Sequence, residues 1–413
     1  MATVAIIAIG SRGDVAPLTG IGIRLRQAGH RVIVLSYGLF RELITGCGLE
    51  FRSIDVDDDD ADLSDTSTTD AIRGLAAFLS PGGMRKLGAG ILAALHDKPL
   101  DLLMLTPFAE LVGHPLAEAL GVPSVGARLQ PLSASAEYPP AVLGAWSGGR
   151  FGNRATARCG ERLIDGIYRG TVNRFRADLG LPKASPHRLR VRRTESAWPI
   201  LYGYSPAVVP RPADWRPGID VVGYWWPARP DDWEPPADLL RFIDAGPAPV
   251  VVGFGSTVNS VAAAEQVSLL VRDALRAAGV RGVIQSGWAG LTASGDDVIS
   301  VGEVPHDWLF GRAAAVVHHC GAGTTAAGLR AGVPAIAVPN LGDQPFWARR
   351  LSALGVGPTA IPYRRLTTEN LAATIRMTLS DSSYRDNAVQ VAGRIRDEDG
   401  AGRVLAVIEE LLT

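Results

Sequence analysis

Twice along this chain a short apolar run gives way to a helical stretch and then to another apolar run, and the two series are separated by a proline-rich break. Runs this short, lying between helical patterns, imply right-handed crossovers, and crossovers of that hand build parallel sheets. The first series places strands over 4–9, 31–36, 50–54, 100–105 and 124–127, with helices near 17–28, 39–47 and 113–120 and a long one over 155–179. The second places strands over 249–253, 282–285, 298–301, 313–317 and 335–338. The fold class is therefore α/β, with two parallel-sheet domains facing each other, and 413 residues is more than one core usually supports. We divide the chain into a first domain over 1–210, a linker over 211–236, a second domain over 237–385 and terminal helices over 386–413. The linker is stiffened by Pro212, Pro217, Pro227, Pro230, Pro235 and Pro236. Val404, Val407, Ile408 and Leu411 share one helical face, which packs on whichever domain supplies a groove and has the option of crossing back to the first.

A formal net charge of −1 argues against a surface that tracks nucleic-acid phosphates. Cys47, Cys159 and Cys320 are scattered and odd in number, which gives neither a disulfide framework nor a zinc pattern and fits a reducing, cytoplasmic setting. The opening apolar run has no basic flank and is far shorter than the roughly 20 residues of a membrane helix, so it reads as a buried strand. The acidic run Asp57–Asp60, with Asp62, Asp65 and Asp70, reads as a solvated loop in preference to a metal motif.

The chemistry concentrates where strands end. The strand over 313–317 breaks at Gly321 and Gly323 into a helix that begins at Thr324 and Thr325, an arrangement that offers free amides and a positive dipole end to an anion. Asp343 and Gln344 open the next helix near the same rim and suit sugar hydroxyls, although Asp343 serves equally as a helix cap before Pro345. Asp14 follows the first strand, where ligands bind in open parallel sheets. It is a candidate general base and, alternatively, a cap for the helix near Pro17. Gly255, Ser256 and Thr257 repeat the strand-end pattern. His30 and His114 read as structural, and no cluster of metal ligands stands out.

The ordered landmarks Ile9–Val15, Gly29–Val32, Ser205–Pro206 with Asp214–Trp215, Gly223–Trp225, Phe254–Ser256, Val304–His306, His319–Thr325 and Asp343–Trp347 span nearly the whole chain. Together they resemble the inverting nucleotide-sugar glycosyltransferases of the GT-B fold, with two Rossmann-like domains across a cleft, and above all the sterol and vancomycin-type antibiotic branches. The resemblance implies that Asp14 deprotonates the acceptor hydroxyl and that His319 assists the departing diphosphate. It further implies that Arg12, Ser256 or Thr257 touch phosphate, with Ser11 as a lesser candidate, and that Asp343 and Gln344 hold the sugar. Val304 and His306 are expected at the nucleobase. Glu303 stands where plant relatives carry a stacking tryptophan, so Trp288 is the substitute candidate. His318 points away along the strand and is structural. Leu132, Tyr138 and Trp146 are the expected acceptor contacts. The implied partners are a UDP- or TDP-linked hexose or deoxyhexose and a lipophilic hydroxyl compound, with no cofactor and no metal. The remaining alternatives are a silent sugar-nucleotide regulator and a nicotinamide oxidoreductase. The latter is disfavoured because Gly10-Ser-Arg-Gly13 lacks the dinucleotide glycine spacing.

Overall fold

The computed structural model describes residues 1–54, 77–96, 99–229, 233–255, 261–287 and 290–413. The acidic run over 57–70 lies outside them, as do Ser256, Thr257 and Trp288. Strands β1 (Thr3–Ile7), β2 (Arg31–Ser36), β3 (Glu50–Ser53), β4 (Leu102–Leu105), β5 (Ser124–Arg128), β6 (Ile200–Tyr202) and β7 (Ile219–Val221) form one sheet in the order 3-2-1-4-5-6-7. A second sheet takes β8 (Val250–Gly253), β9 (Gly282–Gln285), β10 (Val298–Val301), β11 (Ala315–His318) and β12 (Ala335–Ala337) in the order 10-9-8-11-12. Every pairing is parallel. Helices cover both faces of each sheet, which is why strands such as Val4–Ile7 and Val250–Val252 are apolar throughout and fully buried.

Three differences from the sequence reading bear on function. The first helix spans Arg12–Gln27, starting well before Pro17, so Asp14 sits inside its first turn. The stretch over 155–179 is two helices, Gly149–Ile167 and Arg169–Asp178, which break at Tyr168. The proline-rich stretch over 211–236 is not all connection, because Ile219–Val221 pairs with β6 and closes the first sheet. Three residues flanked by Pro217 carry too little periodicity to be seen as a strand.

The domains share an apolar cluster. Tyr202, Tyr204, Val208 and Trp215 from the first side pack with Cys320, Leu329, Phe346 and Trp347 from the second. The terminal helix Gly400–Leu411 lies on the first domain, with Val404 and Ile408 buried among Val4, Ile6, Leu18 and Ile21. Among the described residues no helix is long and apolar enough to cross a membrane.

Candidate active site

The carboxyl ends of both sheets face one cleft, and polar ties cross it. The Arg12 guanidinium lies 3.0 Å from the Glu303 carboxylate, Arg350 Nε donates to the Val208 carbonyl (2.8 Å) and Arg349 Nη1 to that of Ala145 (3.1 Å).

On the second domain, β11 ends in a strained turn. Cys320 adopts a left-handed conformation (φ 66°), uncommon for a residue with a side chain, and donates its N–H to His318 Nδ1 (3.1 Å). His318 is thereby anchored beneath the strand as a neutral ring, and burial depresses its pKa to about 3. The same turn throws His319 to the other side, toward the start of the helix Ala322–Ala331. Its first intrahelical acceptor, the Gly321 carbonyl, receives the Thr325 N–H, so the amides of Ala322, Gly323 and Thr324 precede the helical ladder. Thr325 Oγ1 and His319 Nδ1 are buried without hydrogen-bond partners. Burial lowers the His319 pKa to about 4, opposed by the Gly253 backbone, so the ring is neutral at physiological pH and carries no positive charge.

The glycines of this turn guard the imidazole. A Cβ on Gly321 would stand 2.6 Å from His319 Nε2, and one on Gly255, at φ +55°, 2.9 Å from its Cε1. Sequence reasoning made Gly321 part of an anion cradle; in the structure its nearest side-chain neighbour is the histidine. Gly323 is the position open to the cleft, where an added Cβ meets nothing within 4 Å.

Asp343 precedes the helix Gln344–Ala353, but its side chain does not cap it. Its Oδ2 accepts from Trp347 Nε1 (2.7 Å). Burial raises its carboxyl to about 6, with the charge of Asp14 across the cleft adding to the shift and the Trp347 bond opposing it. Gln344 turns its Oε1 to the Asn340 (2.8 Å) and Leu341 (3.3 Å) amides. His306 stacks on Phe310 at 4.5 Å, and its Nε2 is 3.1 Å from Gln285 Oε1 while Gln285 Nε2 donates to the Val304 carbonyl (3.2 Å). Both residues expected at the nucleobase therefore belong to one internal network, and burial holds the His306 pKa near 4.

On the first domain, Asp14 Oδ2 accepts from the Ser11 amide (2.8 Å) and hydroxyl (2.9 Å), completing a capping box, while Oδ1 lies 3.5 Å from Gln130 Nε2. The cap reading and a cleft-facing carboxylate thus coexist. Arg12, expected on phosphate, pairs with Glu303 in this structure. The expected acceptor residues separate. The Leu132 amide is held by the Tyr202 hydroxyl (3.2 Å), Tyr138 packs edge-on against Phe346 of the other domain, and Trp146 is 53% exposed. Sequence reasoning missed the half-buried pair behind them, in which Arg128 Nη2 donates to both oxygens of Glu110 (2.8 and 2.9 Å). Burial alone would raise the Glu110 carboxyl, but the Arg128 charge overrides it and holds it near 2. Their one sequence signal is position, Glu110 opening the helix after β4 and Arg128 closing β5. His114 stacks edge-on with Trp198 and stays neutral through burial, its pKa near 4. Among the described residues no three His, Cys, Asp or Glu side chains gather as a metal site.

Residues 4–88 match the glycosyltransferase family 28 N-terminal domain, and residues 285–411 match the C-terminal domain of erythromycin biosynthesis protein CIII-like proteins. An O-mycaminosyltylonolide 6-deoxyallosyltransferase of Streptomyces fradiae is 34% identical over 98% of this chain and 97% of its own length. A sterol 3-beta-glucosyltransferase of Arabidopsis thaliana is 33% identical over 99% of this chain, which spans 65% of that protein. Among solved structures, the glycosyltransferase SnogD from Streptomyces nogalater superposes with a TM-score of 0.65 at 23% identity over 98% of this chain and 99% of its own. SsfS6 from Streptomyces sp. SF2575, solved with thymidine diphosphate, gives 0.63 at 21% over 99% and 100%. Those two likenesses are of fold.

Proposed function

This chain belongs to the glycosyltransferases that join a family 28 N-terminal domain to an erythromycin-biosynthesis CIII-like C-terminal domain, and on that premise we propose that it moves a hexose or deoxyhexose from a UDP- or TDP-sugar to a hydroxyl of a lipophilic acceptor, with inversion. The observation that carries the reading is the neutral, glycine-flanked His319 beside the uncommitted amides of Ala322, Gly323 and Thr324, a cradle suited to a diphosphate. The acceptor oxygen attacks the sugar C1 and forms the new glycosidic bond as the bond from C1 to the diphosphate oxygen breaks. The electron pair leaves with the diphosphate, and the hydroxyl proton passes to Asp14. Ser11 occupies Oδ2, which leaves Oδ1 as the accepting atom. The rise in the Asp343 pKa that Asp14 contributes supports a carboxylate facing a sugar held near Asp343. Arg12, Val304, His306 and Gln344 frame the donor in this reading, and Leu132, Tyr138 and Trp146 the acceptor entrance. Three unpaired cysteines fit action in the cytoplasm.

The test is Asp14→Asn, which keeps one acceptor oxygen for the Ser11 cap. Turnover with a matched acceptor should fall by about 10² to 10⁴ with nucleoside diphosphate binding retained. Near-normal turnover removes Asp14 from the reaction.

A further inference from the structure

Among the described residues, Cys320 and Ala197 are the two that take a positive φ without being glycine. Cys320 stands between His319 and the helix Ala322–Ala331, so its φ of 66° sets how the imidazole lies relative to the amides of Ala322, Gly323 and Thr324. Left-handed backbone crowds Cβ against a carbonyl oxygen, and a residue with a side chain stays there only where its surroundings hold it. The sheet does not hold this one. The last rung between β11 and β12 runs from the Val338 N–H to the His318 carbonyl (2.9 Å), and Cys320 lies beyond it. Both of its donors turn back to His318 instead, the N–H to Nδ1 (3.1 Å) and the thiol to the carbonyl oxygen (3.6 Å). Both residues are fully buried, so a Cys320 N–H without that acceptor would have no water to turn to. Burial, with His319 and His306 adding to it, keeps the His318 pKa near 3 and the ring neutral. Because Nδ1 accepts, the proton of that ring sits on Nε2.

We infer that His318 is a positioning residue for the cradle: by accepting the Cys320 N–H at Nδ1 it holds the left-handed turn that sets His319 relative to the amides of the helix start. It acts through the backbone of Cys320 and touches no reacting group. The inference deepens the reading of this turn as a diphosphate site and rests on it. A side chain that only fills space would need the volume of the imidazole, whereas this role needs its acceptor atom. The two are separable by substitution. Asparagine carries Oδ1 on Cγ where histidine carries Nδ1, so it keeps the acceptor with less volume; phenylalanine keeps the ring without an acceptor, and leucine is a smaller side chain that also lacks one.

The experiment is calorimetric titration of the full chain with UDP and with TDP, for the parent, His318→Asn, His318→Phe and His318→Leu, with a thermal midpoint for each to show that it folds. A left-handed residue bearing a side chain is disfavoured roughly five- to thirtyfold on its own, so the phenylalanine and leucine variants should lose about that factor in affinity. His318→Asn should stay within about threefold of the parent. Leucine covers the case in which the larger phenyl ring does not fit. Glycine reaches positive φ unaided, so in a Cys320→Gly background the His318→Leu change should cost no more than about threefold. Phenylalanine and leucine variants that bind as tightly as the parent overturn the proposal, as does an asparagine variant as weak as they are. A leucine change that costs as much beside Gly as beside Cys at position 320 also overturns it, since the ring would then act by some route other than the turn. A parent that binds neither UDP nor TDP is a different result, one that removes the diphosphate reading of the cradle and this role with it.

Discussion

Gly321→Ala is the substitution that best isolates the cradle. Ordinary van der Waals contact begins at 3.4 Å, and the added Cβ would stand 2.6 Å from His319 Nε2, so the ring must retreat by roughly 0.8 Å or the helix start must shift. Gly321 itself has φ −60° and ψ 147°, which alanine adopts freely, so the backbone imposes no strain. The lost N-cap preference costs about 0.5–1 kcal/mol, a drop of no more than about 4 °C in thermal midpoint. A catalytic group misplaced by about 1 Å can cost 10²-fold, so kcat/KM should fall between about ten- and a hundredfold while the fold survives. The assay is nucleoside diphosphate release with a matched acceptor, alongside calorimetric titration of the diphosphate itself. Gly328→Ala, further along the same helix and with open space around its Cβ, should leave turnover alone and stabilise by about 0.5–1 kcal/mol. Parent-like turnover in Gly321→Ala, within threefold, would refute the argument that this glycine positions the histidine.

Acid should destabilise the protein. His114, His306 and His319 are held near pKa 4 and His318 near 3 by burial, so between pH 6.5 and 4 the unfolded imidazoles take up protons that the folded ones refuse. Each removes about 2 kcal/mol at pH 5; Asp343, raised to about 6, acts in the opposite direction and offsets only part. The thermal midpoint should fall from pH 7 to pH 5, and a flat or rising profile contradicts the burial. Glu303→Gln should leave stability nearly unchanged, because its pair with Arg12 is exposed and contributes about 1 kcal/mol at most. If Arg12 leaves Glu303 for the diphosphate, the variant lowers the donor KM by about two- to fivefold, an effect that high salt erases; a raised KM shows instead that the pair holds the cleft closed.

The two sheets were legible because both faces of each are covered. Arg31–Ser36, Gly282–Gln285 and Val298–Val301 appear at the bounds read from their apolar runs. Strand ends also pointed to Asp14, His319 and Asp343 as a group, since open parallel sheets collect ligands there. What local pattern could not carry were relations between distant segments. The Arg12–Glu303 pair, the seat of Leu132 on Tyr202 and the Glu110–Arg128 pair join residues far apart in the chain. Gly321 stood out as a place of close approach, but sequence could not show that the His319 ring is one of the neighbours it makes room for, because it reveals a need for space without revealing what fills it. Ser11 and Asp14 did stand at capping-box spacing, but the cap was assigned to a helix near Pro17, because proline favours a helix start, whereas here it lies inside the helix at the sixth position.

The return of Gly400–Leu411 to the first domain means that the polypeptide crosses the cleft twice, outward after β7 and homeward before Gly400. Two tethers instead of one forbid free swivelling and confine the lobes to flexing like the covers of a book. Severing the chain at its proline-rich passage would therefore not release two self-sufficient halves, since the amino-terminal piece would be left with a bare furrow where Val404 and Ile408 now lie.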